Sequence, residues 1–217
     1  MVFSQRHGIK VVIDDAAGFD GLRACALPSV VSLHATKALG IGEGAVMVCT
    51  DHKLLSEIRR RINFGFLGAR VADVVALNAK MSEYHAAVGL AALQAWPKVR
   101  NEYARVQRGL RRRLEAAGLA CPRGIGEEWV SSTFCLRLPV AAEAVARILA
   151  EQGIETRRWW GDGLHRHPAF AACPRGDLSA TERLGASVLG LPCYVDLTED
   201  QLSIIARQTL AAVESLT

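Results

Sequence analysis

The run from Ile9 to Ile13, apolar but for Lys10 and closed by Asp14 and Asp15, constrains this chain more than any other stretch. It is continuous rather than alternating, so it reads as a strand buried on both faces in a parallel sheet. A parallel sheet needs covering helices, which makes the chain α/β. The two carboxylates fall where such sheets gather ligands, beyond the carboxyl ends of the strands.

Further strands are expected over Val30 to Leu33 and Ala45 to Cys49, and a helix over Asp51 to Asn63 with Asp51 as its cap. Gly65 to Val75 reads as a loop. Ala79 to Ala95 reads as an alanine-rich helix with Met81, Tyr84, Val88, Ala91 and Ala95 on one stripe. Pro97, acceptable in a first helical turn, is expected to open a second helix that ends near Gly118. Val99, Tyr103, Val106, Leu110, Leu114 and Ala117 give that helix its apolar face. The domain boundary is placed along it, between residues 1–96 and 97–217. Beyond it the pattern is strand (Ser132 to Leu138), helix (Ala141 to Gln152), strand (Ile154 to Arg158) and helix (Ser179 to Leu189). A final helix opens on a capping box of Thr198 and Gln201.

Composition excludes several classes. Half of the 217 residues are hydrophobic and 22% are charged, ordinary for a globular protein and far from disorder. No apolar run approaches the roughly 20 residues of a membrane span, and Met1 to Lys10 lacks a signal-peptide core, so the expectation is a cytoplasmic protein without a membrane partner. The net charge of +4 is small for a nucleic-acid binder. Lys98 to Arg113 holds seven Lys and Arg against one Glu, but they fall mostly opposite the apolar stripe, which reads as a solvated face. Six scattered cysteines, with no Cys-x-x-Cys pair, read as reduced and mostly buried thiols. His165 and His167 lack a third ligand, and no metal is expected.

Lys37 is the candidate for chemistry. It stands in Ser32-Leu33-His34-Ala35-Thr36-Lys37, a weakly charged segment between two apolar runs. Exposed lysines stay protonated near their ordinary pKa of about 10.4, whereas desolvation frees the amine as a nucleophile. By itself such a residue also reads as a loop lysine reaching out to solvent.

Three segments carry more weight together: His7-Gly8-Ile9-Lys10-Val11-Val12-Ile13-Asp14-Asp15-Ala16-Ala17, then Ser32 to Lys37 with Glu43-Gly44, then Asn78-Ala79-Lys80-Met81-Ser82-Glu83-Tyr84-His85-Ala86-Ala87-Val88-Gly89. In this order and spacing they resemble the DegT/DnrJ/StrS family of sugar-nucleotide aminotransferases, which use pyridoxal 5'-phosphate (PLP). Gly153 to Trp160, His165, Pro168 and Leu191-Pro192 resemble the same family's small domain. The resemblance implies an aspartate-aminotransferase-like α/β fold (PLP fold type I). Residues 1–96 would be the C-terminal part of the PLP-binding large domain, with a truncated sheet, and 97–217 the small α/β domain.

It also implies the site. Lys37 becomes the Schiff-base lysine, which exchanges its imine for one to the amino donor and then shuttles a proton. An acid pairs with the pyridinium nitrogen so that the ring can accept electrons. Counting without gaps from Gly8, or back from Phe19, places that acid at Asp14; matching the Asp-Ala-Ala triplet alone places it at Asp15. Ser32 matches a serine that binds the cofactor phosphate. Asn78 matches an asparagine that reaches the phosphate from a neighbouring subunit, which implies a homodimer, and it also reads as an N-cap for the helix after it. His34 reads as a packed loop residue or a pocket wall.

The implied reaction is amination of a nucleotide-linked keto-deoxysugar, with glutamate as donor and a 4-keto sugar preferred. Ala17, Ala45 and Lys80 depart from the family pattern, which has glutamine, glycine and arginine there, and the 22-position interval from Asp15 to Lys37 is short. Because the family chains are longer, the resemblance implies the C-terminal portion of such an enzyme, completed by an N-terminal segment or companion chain. The rival expectation is a catalytically inactive fragment, or a binding or regulatory module on the same scaffold.

Overall fold

The computed structural model describes residues 2–159 and 161–217. Met1 and Trp160, the latter part of the small-domain resemblance, lie outside the described residues. By its internal contacts the chain divides into two units, residues 1–97 and 98–217.

The first unit is built on a three-stranded sheet of order β1-β2-β3, with β1 at Ile13–Asp14, β2 at Ser29–Ser32 and β3 at Ala45–Val48. β1 runs parallel to β2 and β3 antiparallel to it. The expected strand from Ile9 is thus cut to its last residue and extended by Asp14. The reason lies in the partner: β2 starts just after Pro28, whose carbonyl accepts from the Ile13 N–H at 2.8 Å but which has no N–H to offer in return. Ile9 and Val12 are consequently exposed, at 52% and 60%.

A short helix α1 (Val2–His7) precedes the sheet, and α2 (His52–Ile62) follows it. Asp51 caps α2 as expected, its carboxylate accepting from the Leu54 N–H at 2.9 Å.

α3 runs unbroken from Glu83 to Glu115 with Pro97 inside it, where two helices were expected. Pro97 lies on the exposed side, so the helix loses one ladder bond and no packing. The expected stripe on its first half is also corrected. Met81, Val88, Ala92 and Trp96 pack around the buried Leu33, Leu39 and Ile41, whereas Tyr84, Ala91 and Ala95 face outward. Alanines are weak markers of facing, and Tyr84 lies one step off the inward row.

The second unit is larger and better packed. β4 (Phe134–Arg137) pairs antiparallel with β5 (Val188–Leu191), and α4 (Ala142–Glu151), α5 (Ser179–Ser187) and α6 (Glu199–Glu214) accompany them. The helix expected through Leu189 therefore stops at Ser187, because Val188 and Leu189 are taken up by pairing with β4. Ile154 to Arg158 contributes only the bridge Arg157 to Gly190 rather than a strand. Val106, Leu110 and Leu114 of α3 enter the core with Phe134, Leu136, Val145, Leu149, Leu189 and Leu202. Gln107 is fully buried among them, its amide donating to the Ser131 carbonyl at 2.6 Å. The capping box is present at α6, Thr198 and Gln201 each bonding the other's backbone.

The basic residues of α3 do not form a free cationic face. Arg111 pairs with Glu115 and Glu127, Arg113 with Glu199, and Arg105 with Glu102 and Glu199. All six cysteines are free thiols, but Cys49 alone of them is buried, and Cys25 and Cys173 are exposed. Among the described residues no helix is long and apolar enough to cross a membrane, and no group of His, Cys, Asp and Glu could hold a metal.

Candidate active site

Parallel pairing puts the carboxyl ends of β1 and β2 at the same edge of the sheet, and with them Asp14 and Ser32. The register sets Asp14 beside Val30, so Asp14 shares a face with Val30 and, two residues on, with Ser32. Asp14 is exposed, and its Oδ1 accepts from the Ala16 N–H at 3.1 Å. Asp15 is half-buried and turns the chain: its N–H donates to the Val30 carbonyl at 3.0 Å, and its carbonyl accepts from Gly18 at 2.9 Å. A Cβ at Gly18 would stand 1.8 Å from Asp15 Oδ1, so a side chain there would displace the Asp15 carboxylate.

Between β2 and β3 the chain doubles back on itself. Leu33 N–H donates to the Gly44 carbonyl at 2.9 Å, Ala35 N–H to Gly42 at 2.8 Å, and Ile41 N–H to Leu33 at 2.9 Å. Gly42 and Gly44 take φ of 104° and 143°, and a Cβ on them would meet His85 Nε2 at 3.1 Å and the Met81 methyl at 2.9 Å. The hairpin therefore lies against the start of α3 with no room for side chains at these positions. Leu39 and Ile41 anchor it, each 5% exposed. Lys37 sits on the turn they hold, half-buried, its N–H bonded to the His34 carbonyl at 2.9 Å. Among the described residues its amine has no hydrogen-bond or ion-pair partner.

Asn78 is not joined to this group. Its backbone bridges Asn63 at the end of α2, and its side-chain oxygen accepts from Lys80 Nζ at 2.7 Å. Nor is it an N-cap: α3 starts at Glu83, and Ser82 supplies the hydroxyl that accepts from the His85 N–H. The segment leading to Asn78 is tied down from α2. Arg61 bonds Glu57 and the Val75 carbonyl, while Arg60 bonds Glu57 and, at 2.9 Å, Asp73. The Arg60 hydrogen bond holds the Glu57 carboxyl below its ordinary pKa and the guanidinium above its own. Phe64, on the same segment, is the one non-glycine with positive φ among the described residues, at 56°. Lys80 Nζ lies 4.1 Å from the centre of its ring.

His34, expected as a packed loop residue or a pocket wall, is half-buried on this hairpin. Its Nδ1 is 3.2 Å from the Thr36 N–H and 2.9 Å from the Thr36 hydroxyl, and its Nε2 is 3.5 Å from Glu43 Oε1. The signal was present in the spacing of His34, Thr36 and Glu43, but only the closed hairpin brings Glu43 back across to the ring.

Residues 2–209 match the model of the DegT/DnrJ/EryC1/StrS aminotransferase family. Protein Rv3402c of Mycobacterium tuberculosis is 28% identical over 222 residues, which cover 95% of this chain and 52% of that protein. The dTDP-4-amino-4,6-dideoxy-D-glucose transaminase of Shigella dysenteriae is 27% identical over 219 residues, covering 93% and 59%. DesI, solved in the presence of its TDP-sugar product, matches with a TM-score of 0.84 at 29% identity, covering 99% of this chain and 58% of that one. The chain thus spans about half to three-fifths of the length of these relatives. The fold is that of the PLP-dependent aminotransferases of fold type I, and the family is PLP-dependent.

Proposed function

The chain belongs to the DegT/DnrJ/EryC1/StrS aminotransferase family, and on that premise we propose that it serves PLP-dependent transamination of a nucleotide-linked keto-deoxysugar, with glutamate as amino donor. The observation that carries this reading is a donor set of three kinds: a carboxylate and a hydroxyl at the carboxyl ends of adjacent parallel strands, and an unpartnered lysine on the turn that follows. These groups fit a cofactor with a basic ring nitrogen, a phosphate and an aldehyde. When bound, PLP supplies an electron-accepting ring that stabilises negative charge on the substrate carbon.

Lys37 would bond the cofactor, and its amine would move the proton at the reacting carbon. Asp14 holds the proton on the ring nitrogen, with Asp15 as the alternative acid one residue on. Ser32 donates its hydroxyl to the phosphate. Asn78, exposed and bonded to Lys80 rather than to the other three, suits a phosphate contact in a second copy of the chain, and so a homodimer. The nucleotide-sugar substrate class follows the dTDP-sugar and UDP-sugar enzymes among the relatives.

A second reading, a scaffold without catalysis of its own, draws on one observation. The edge near β1 leaves Ile9 and Val12 in solvent. One experiment decides between the two. The purified chain is mixed with PLP, reduced with borohydride and mapped by mass spectrometry, alone and with a polypeptide supplying the rest of the family's length. A pyridoxyl group on Lys37 in either sample, lost in Lys37→Ala, supports the proposal; no adduct at Lys37 in both sinks it.

A further inference from the structure

His34 is the most connected residue of the hairpin that carries Lys37. Its N–H donates to Ser32 Oγ at 3.2 Å, its carbonyl accepts from the Lys37 N–H at 2.9 Å, and its ring meets Thr36 on one side and Glu43 on the other. Through one residue the phosphate-side serine, the lysine turn and the returning arm of the hairpin are linked.

The contacts also assign a tautomer. A backbone N–H can only donate, so the Thr36 N–H at 3.2 Å requires a lone pair on Nδ1. In the neutral ring the proton is then on Nε2, the atom that faces the Glu43 carboxylate. The Glu43 contact is long and its side chain is 76% exposed, so it orients the ring more than it stabilises the fold. The Thr36 contact is the one that closes the turn.

We propose that His34 is a positioning residue for Lys37: in its Nε2-protonated tautomer the ring clasps Thr36 and holds the lysine turn in the geometry that captures the cofactor. This rests on the reading of Lys37 as the PLP-bonding residue. The hydrogen-bond acceptor at Nδ1 is the essential feature, and the imidazole itself is not. Asparagine at this position keeps an acceptor at the same reach from the backbone, whereas alanine keeps none.

Two readouts test it. The first needs no cofactor: amide hydrogen exchange at Thr36 and Lys37, with the imidazole nitrogen shifts of His34, measured by NMR on the whole chain. Nε2 protonation is expected, together with exchange at least tenfold faster in His34→Ala and restored to within about threefold in His34→Asn. The Nδ1-protonated tautomer, or unchanged exchange in His34→Ala, would overturn the clasp. The second is the rate at which the reduced pyridoxyl adduct accumulates on Lys37, in the sample that yields it for the wild type. It is expected to fall at least tenfold in His34→Ala and to recover in His34→Asn; equal rates in wild type and His34→Ala, or no recovery in His34→Asn, refute the positioning role. If the wild type yields no adduct, the reading of Lys37 fails and with it the positioning role, while amide exchange still reports whether the clasp exists.

Discussion

Two glycines in α3 face opposite surroundings, and the same substitution at each is expected to act with opposite sign. Glycine in a helix interior costs roughly 0.5–1 kcal/mol relative to alanine, so Gly89→Ala and Gly109→Ala begin with the same gain. At Gly89 the new Cβ would lie 3.7 Å from Ile41 Cδ1 and 3.9 Å from Ile41 Cγ2, ordinary van der Waals contact. The full gain remains, and contact with a buried isoleucine adds to it. At Gly109 the Cβ would stand 2.8 Å from Leu202 Cδ1, in a core where Leu202 is fully buried. Overpacking of that kind costs about 1–3 kcal/mol, which exceeds the helix gain. The expected outcome is stabilisation by about 1 kcal/mol in Gly89→Ala and destabilisation by up to about 2 kcal/mol in Gly109→Ala. Urea denaturation followed by far-UV circular dichroism measures both, the midpoints moving in opposite directions at unchanged slope. Equal shifts of the same sign would refute the reasoning, since helix propensity alone would then account for both sites.

Thr198→Ala removes one half of the capping box and is expected to cost about 1 kcal/mol, read as a lower urea midpoint. Desolvation at its half-buried position pushes the Cys193 thiol up to about 11, so the folded chain keeps this proton where the unfolded chain releases it. That contribution to stability is complete below about pH 9 and is lost as pH rises towards 11. Cys193→Ala is expected to flatten the alkaline limb of a stability–pH curve, and a limb identical to the wild type counts against it. Thiol titration of the native chain should show Cys25 and Cys173 reacting first, a result checked by mass mapping. Asp14→Asn is expected to weaken PLP capture more than Asp15→Asn; the reverse order transfers the ring-nitrogen role to Asp15.

Local signals read well where chemistry and chain position coincide. Asp51 and Thr198 announced their caps because capping is a contact between near neighbours. Ser32, Lys37 and Glu43 were legible as a group because one hairpin carries all three. Signals failed where a distant partner decided the outcome. Val188 and Leu189 continue the apolar pattern of α5, yet β4 claims them. Ile9 to Val12 have strand composition, yet pairing starts only at Ile13 because β2 begins after Pro28. Pro97 looked like the first-turn proline of a second helix because the sequence marks helix on both sides of it but does not show that the two run on as one.

The same distinction explains why the candidate site could be proposed from the chain while its support could not. Lys37 is recognised by residue type and spacing, but its placement depends on contacts made by residues with no reactive role. Leu39 and Ile41 sink the turn into the Met81, Val88 and Trp96 cluster, Gly42 and Gly44 let the hairpin lie against α3, and His34 closes the turn itself. Substitutions at these positions should therefore change how Lys37 is presented without changing what Lys37 is. Loss of cofactor capture with the lysine intact, as in His34→Ala, is the behaviour that separates a held lysine from one that merely occurs in a loop.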